Sequence, residues 1–280
     1  MTRAPAASAA GWLAEARTAA RQPPAQERLP LWVAGQAVGS VAAGFLDEIE
    51  MQRLSDKRYQ ILIQEQSGVP VWHLDVAPDA ATSALNLLAQ ALHAQGRCGP
   101  WRNEQLAVCN ARGERLGTVE RGAVRVLGIA TRAVHLVGLA PDGRMWVQQR
   151  ARTKPNNPGM WDTLMGGMVS ADDTLDQALA RETWEEAGLV LPALQAVGQG
   201  VTWGGQVDFS RPSREGGGVG YMVERIDWFR CTVPEGLAPR NQDGEVERFE
   251  LWRPEQVRER IAAGDFTLEA ALVLGACFGW

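Results

Sequence analysis

Apolar residues recur along the chain in spacings that assign elements before any chemistry is considered. Residues 10–21 read as a short helix that Gln22-Pro23-Pro24 stops, because proline offers no backbone N–H to a helix. Leu31-Trp32-Val33-Ala34-Gly35 reads as a strand running into a turn. Gln60-Ile61-Leu62-Ile63 and Val71-Trp72-His73-Leu74 read as short strands, and residues 80–95 carry Leu85, Leu88 and Leu92 at helical spacing. The segment 109–117 is polar and rich in turn residues, and Glu120-Arg121-Gly122 follows before apolar alternation resumes.

This pattern places a domain boundary near residue 122. Residues 1–122 form a small α/β unit in which no carboxylates, cysteines or histidines gather, so its expected role is structural or substrate-shaping. In residues 123–280, Ala133-Val134-His135-Leu136-Val137-Gly138-Leu139 and Met145-Trp146-Val147-Gln148-Gln149-Arg150 flank Pro141-Asp142-Gly143-Arg144 as a β-hairpin. A long helix, further strands and a C-terminal helical region complete a second α/β domain. The Ala- and Arg-rich opening reads as an exposed amphipathic helix, since Glu15 interrupts the acid-free pattern of a transit peptide.

Composition narrows the function classes. The 280 residues are 45% hydrophobic and 22% charged, which excludes disorder for the bulk of the chain. Lys+Arg 28 against Asp+Glu 33 gives a net charge of −5, with no basic field to hold a nucleic acid. No uncharged apolar run is long enough to span a bilayer, so neither nucleic acid nor membrane is an expected partner. Cys98, Cys109, Cys231 and Cys277 form no CxxC pair, which points to a reducing, cytoplasmic setting.

The stretch from Gly166-Gly167 to Gly188-Leu189 carries chemistry. Two glycines in a loop, Asp173 or Thr174 as N-cap and Gly188 as C-cap frame a helix. Taking about 100° per residue with Leu175 at zero, Leu179 falls at ~+40°, Glu182 at ~−20°, Glu186 at ~+20° and Glu185 at ~−80°. Three carboxylates therefore continue the leucine stripe that should face the core. Crowded, partly buried anions need a divalent cation or an arginine beside them, and oxygen-rich sites suit Mg²⁺ or Mn²⁺. A solvated acidic helix in which Arg181 pairs with Glu185 one turn on is the alternative.

Gly167, five residues, Asp173, seven residues, then Arg181-Glu182-Thr183-Trp184-Glu185-Glu186-Ala187-Gly188-Leu189 resembles the Nudix box, G-x5-E-x7-R-E-U-x-E-E-x-G-U, U being hydrophobic. Asp173 stands where the family has Glu, and Thr183 where it has an aliphatic residue. The resemblance implies an α/β (α+β) fold: a Nudix αβα sandwich with a mixed β-sheet, preceded here by the small α/β N-terminal domain. It also implies that Glu182, Glu185 and Glu186, with the carbonyl of Gly166, bind the metal. Glu182 would orient or deprotonate water and Arg181 would hold Glu182. Family members are hydrolases that cleave an organic diphosphate. Looser matches at 107–109, 120–121, 128–129, 149–154, 158–162 and 266–274 resemble the Nudix branch related to thiamine pyrophosphokinase. That branch has an extra N-terminal domain and converts damaged (oxo or oxy) thiamine diphosphate to its monophosphate.

Beside the box, Arg152 and Lys154 belong to a basic run that either clamps substrate phosphates or is a solvated strand end. Glu245, with Glu247 second, is the choice for a further acid, and period-2 alternation puts both on one face. Trp161 is the candidate aromatic wall, and residues 215–220 read as a mobile loop beside the pocket. The expected partner is a small organic diphosphate. A Nudix hydrolase of nucleoside diphosphates linked to other groups, or a Nudix-like module that senses a diphosphate without cutting it, are the alternatives. The isomerase of this fold needs a cysteine before the box, and residues 151–165 contain none.

Overall fold

The computed structural model describes residues 11–47, 60–196 and 198–280, so the first residue of the expected N-terminal helix lies outside the described residues. The first unit is a four-stranded sheet in the order β2-β1-β4-β3, made of β1 (Arg28–Val33), β2 (Gln36–Ala42), β3 (Gln60–Gln66) and β4 (Val69–Asp75). Two-residue turns close its hairpins, with Ala34-Gly35 and Ser67-Gly68 both at positive φ, as the tightest hairpin turns require. The helix α2 (Ala81–Ala94) buries the leucine stripe the spacing predicts, Leu85, Leu88 and Leu92. The hairpin of β5 (Gln105–Cys109) and β6 (Arg115–Glu120) completes the unit.

The second unit is a seven-stranded mixed sheet. Its path β11-β12-β7-β8-β13 is built from β7 (Ala130–Leu139), β8 (Met145–Arg150), β11 (Thr202–Ser213), β12 (Gly220–Thr232) and β13 (Val246–Trp252). The short strands β9 (Trp161–Asp162) and β10 (Met165–Met168) pair with β8 and β7. β12 runs parallel to β7 and the other pairings are antiparallel. The helix α3 (Leu175–Ala187) and the short α4 (Leu191–Gln195) cover one face of the sheet, where Leu179, Ala187 and Leu194 pack on Val134, Leu136 and Phe229. The other face is covered by α5 (Pro254–Ala262) and α6 (Leu268–Phe278). This is the expected αβα sandwich with a mixed sheet.

Two features tie the units together. The helix α1 (Gly11–Ala20) is not the exposed helix expected from its composition. Trp12 and Leu13 are buried against α6, where Gly275 leaves the room that Leu13 fills. In the other direction, Met168 of β10 packs into the apolar cluster of the first unit, together with Val124, Val126, Leu127 and Ile129. Arg28 on β1 reaches across to the carbonyls of Val126 and Val219. No described helix is long and apolar enough to cross a membrane.

Candidate active site

The site begins with how α3 is started and stopped. Thr174 is the N-cap, and its hydroxyl accepts from Gln177 N–H while Gln177 Oε1 accepts from Thr174 N–H, a capping box. Gly188 ends the helix in the left-handed conformation at φ 63°. The two glycines ahead of the helix lie in β10, not in a loop, with Gly166 opposite His135 and Gly167 opposite Val134 of β7. This brings α3 against a strand that has no side chains in the way. A Cβ on Gly167 would overlap the Glu182 carboxyl, and one on Gly166 would meet the His135 ring at 2.7 Å.

Glu186 is 2% exposed, and its Oε2 accepts from the Gln148 side-chain amide at 2.8 Å and from Gly166 N–H at 3.0 Å. Both donors are neutral, and burial pushes its pKa up to about 7. Burial also raises the pKa of Glu182, against the opposing pull of Arg181. Arg181 is the hub of the box. It donates to Asp173 at 2.9 Å, Glu182 at 2.7 Å, Glu185 at 3.0 Å and the Met168 carbonyl at 3.2 Å. Burial opposes its charge, but Glu182 and Asp173 more than offset this and raise its pKa.

A cavity of about 150 Å³ opens beside these groups. Gly166, Gly167, Glu182 and Glu186 line one side. Lys154 and Glu245 also line it and form a direct ion pair. Burial lowers the Lys154 pKa, with Glu186 pulling the other way. Arg152 and Glu247 lie outside the cavity wall, 3.8 Å apart, with the arginine 78% exposed. The two acids do not share a face because β13 is bulged between Val246 and Arg248, which breaks the period of two. Trp161 lies outside the cavity wall too. Its ring is buried against Trp252 at 4.3 Å, with the Arg248 guanidinium over it.

The cavity also takes residues that the sequence did not single out as site residues: Arg121, Arg125, Asn156, Glu224 and Glu269. The one signal legible for Arg121 in the sequence was the Glu120-Arg121 pair among the looser matches. Its neighbour Glu120 is 1% exposed and accepts backbone N–H bonds from Arg102, Glu104 and Gly122, which fixes the chain as it enters the second unit. Arg121 itself pairs with Glu104 at 2.7 Å and Arg125 with Glu215 at 3.2 Å.

The donor set fits a hard divalent cation. The carboxylates of Glu182 and Glu186 on the cavity wall and the Gly166 carbonyl offer only oxygen, Glu186 is a buried acid held by neutral donors alone, and Glu185 lies off the wall, half-buried and paired with Arg181. Among the described residues no three His, Cys, Asp or Glu side chains converge as a ready metal site, and Arg181 pairs with both Glu182 and Glu185.

The NUDIX domain family matches residues 130–272, more than half of the chain, and the chain belongs to that family. The yeast protein YJR142W of Saccharomyces cerevisiae is 27% identical over 186 residues, covering 62% of this chain and 53% of that protein. The chloroplastic Nudix hydrolase 20 of Arabidopsis thaliana is 30% identical, covering 53% of this chain and 38% of the relative. The Nudix hydrolase SCO1686 of Streptomyces coelicolor is 31% identical, covering 40% of this chain and 65% of the relative. The chain thus aligns with between about a third and two thirds of these relatives' lengths. A crystal structure of DR0079 from Deinococcus radiodurans superposes with a TM-score of 0.47 at 22% identity, covering 62% of this chain and 99% of that one.

Proposed function

We propose that the chain is a metal-dependent hydrolase that cleaves an organic diphosphate to a monophosphate and phosphate. The observation that carries this reading is the placement of Glu182 and Glu186 on the cavity wall, backed by a glycine strand and facing Lys154. Mg²⁺ or Mn²⁺ held by Glu182, Glu185, Glu186 and the Gly166 carbonyl would neutralise phosphate charge and lower the pKa of water. Water attacks phosphorus, the P–O–P bridge breaks, and the leaving phosphate takes the bridging electron pair. Glu182 accepts the proton of that water, a role its hydrogen bond from Arg181 supports. Lys154, with Arg121, Arg125 and Arg150 on the same cavity, supplies positive charge to the non-bridging oxygens. Glu245 orients Lys154 by direct pairing.

The retained box carboxylates favour cleavage over mere sensing. The substrate we infer is an altered thiamine diphosphate, supported by the looser sequence resemblances at 107–109, 120–121, 128–129, 149–154, 158–162 and 266–274. The described cysteines are unpaired, which supports a reducing cytoplasmic setting. Phosphate release from thiamine diphosphate, its oxo and oxy forms, ADP-ribose and nucleoside triphosphates tests the reading. The altered thiamine forms should give the highest kcat/KM, and a tenfold advantage for ADP-ribose or a nucleoside triphosphate overturns the thiamine assignment alone.

Two substitutions separate the roles of neighbouring groups. Asp173 touches Arg181 and is absent from the cavity wall, so Asp173→Ala should cost about tenfold in rate, roughly 1.4 kcal/mol, through a loosened Arg181. Asp173→Glu should restore most of it. A loss as deep as that of Glu186→Gln would make Asp173 a primary ligand instead. Arg121→Ala should raise KM about tenfold with kcat nearly kept, whereas Arg152→Ala should change neither by more than twofold. The reverse ranking in steady-state kinetics would return phosphate binding to Arg152.

A further inference from the structure

A second, smaller pocket of about 40 Å³ lies at the seam of the two units and shares Arg121, Arg125, Asn156 and Met168 with the cavity that holds Glu182 and Glu186. Both units wall it. Pro100 and Arg102 come from the first, and Glu215 comes from the connection between β11 and β12 in the second. Its volume is that of roughly three or four waters, room for a compact group and not for a ring.

The seam is packed backbone against backbone, so its walls have fixed places. Gly99 N–H donates to the Gly122 carbonyl at 2.8 Å. A Cβ on Gly122 would meet the Pro100 carbonyl at 2.8 Å, and one on Gly99 would meet the Glu215 carboxyl at 2.8 Å. The buried Glu120 carboxylate accepts from Arg102 N–H at 2.7 Å and from Glu104 N–H at 3.2 Å. Arg102 therefore projects from a pinned stretch of chain, although its side chain is exposed.

Its charge is lopsided. Arg102, Arg121 and Arg125 line the seam, and Glu215 is the one carboxylate in its described wall. Arg125 donates to Glu215 at 3.2 Å through Nη1, and Arg121 donates to Glu104, outside the wall, at 2.7 Å. The other guanidinium nitrogens of these two have no partner among the described residues and are not sealed from solvent. The Arg102 guanidinium has no ion pair or hydrogen bond there at all. Burial raises the Glu215 pKa against the pull of Arg125, Arg121 and Arg102, so all three cations face this single acid. Even with Glu104 counted, one positive charge is in excess. Planar guanidiniums with N–H groups to offer suit the oxygens of a phosphoryl group.

We propose that the seam is an anion subsite, built jointly by the two units, that takes the phosphate end of the substrate, with Arg102 as the first unit's contribution. Glu215 is the competitor that phosphoryl oxygens displace from Arg125. The identity of the anion rests on the hydrolase reading above, and the assignment gives the first unit a place in substrate binding. Competition makes the two flanking side chains act in opposite directions. Arg102→Ala removes a donor, whereas Glu215→Gln removes the rival charge and keeps an oxygen for Arg125. A merely structural Glu215 would not improve binding when altered.

The test titrates inorganic phosphate into the full chain by calorimetry in EDTA, where no divalent cation can hold the anion at the box. The unaltered chain should bind phosphate, Arg102→Ala should weaken that binding about fivefold, and Glu215→Gln should tighten it by about the same factor. With Mg²⁺ present, Arg102→Ala should raise KM for thiamine diphosphate about tenfold and keep kcat within about twofold, as the loss of a binding contact does. No phosphate binding by the unaltered chain, equal affinities in all three proteins, or weaker binding in Glu215→Gln overturns the subsite and leaves the hydrolase reading standing. Opposite shifts in the two variants, without cleavage of any diphosphate by the unaltered chain, would instead sink the hydrolase reading and keep the seam as an anion site. No cleavage together with equal phosphate affinities overturns both.

Discussion

Glu186→Gln is expected to lower kcat/KM for diphosphate cleavage at least a hundredfold, about 2.7 kcal/mol of transition-state stabilisation, without unfolding the protein. Glutamine keeps an oxygen for the Gln148 amide and Gly166 N–H, so the packing survives. What goes is the buried negative charge that a divalent cation needs. The same charge gives a stability signature in EDTA. The folded-state pKa of Glu186 lies near 7, above the ordinary carboxylate value, so the folded state holds its proton longer than the unfolded chain. Its contribution to metal-free stability is therefore present at pH 4.5 and below and is lost as pH rises toward 7. Glu186→Gln should flatten the fall of Tm across that window. Near-normal activity of a folded Glu186→Gln protein in metal-buffered assays would remove Glu186 from the metal site.

Gly167→Ala should be nearly as damaging, for a steric reason. Gly167 is not among the glycines at positive φ, so alanine is compatible with its backbone angles. The added methyl would instead occupy the position of the Glu182 carboxyl, forcing that side chain off the cavity wall and away from Arg181. Activity should fall about a hundredfold while far-ultraviolet circular dichroism and the unfolding transition stay cooperative. Gly143→Ala, at a turn glycine with φ 85° and open space around it, is the control, since it should affect stability and not rate. Equal rates for Gly167→Ala and the unaltered chain would show that Glu182 does not act from the position seen here.

Elements whose logic is local were legible in the sequence. The stripe of Leu85, Leu88 and Leu92, the Thr174 cap, the Gly188 stop and the hairpin across Pro141 to Arg144 all follow from residues within one or two turns of each other. The Arg181 and glutamate constellation was legible for the same reason, because one helix carries it. What depends on distant partners was hidden. Trp12 and Leu13 look like an exposed amphipathic start until α6, at the other end of the chain, covers them. Trp161 sits next to the box in sequence, but Trp252 and Phe266 enclose it from strands and loops far downstream. The bulge that parts Glu245 from Glu247 has no signature in alternation alone. Glu224 reaches the cavity only because β12 runs parallel beside β7, a neighbour relation that strand spacing does not encode.

The central claim is that the α3 carboxylates act through a divalent cation on a diphosphate bound in the cavity. Its most direct measurement is phosphate release from the organic diphosphate panel by the full chain, titrated with Mg²⁺ after treatment with EDTA. Release should be absent in EDTA, rise saturably with Mg²⁺, and stay absent in Glu186→Gln at every Mg²⁺ concentration that saturates the unaltered chain. Cleavage that persists undiminished in EDTA, or that Glu186→Gln supports at the full rate, would contradict it.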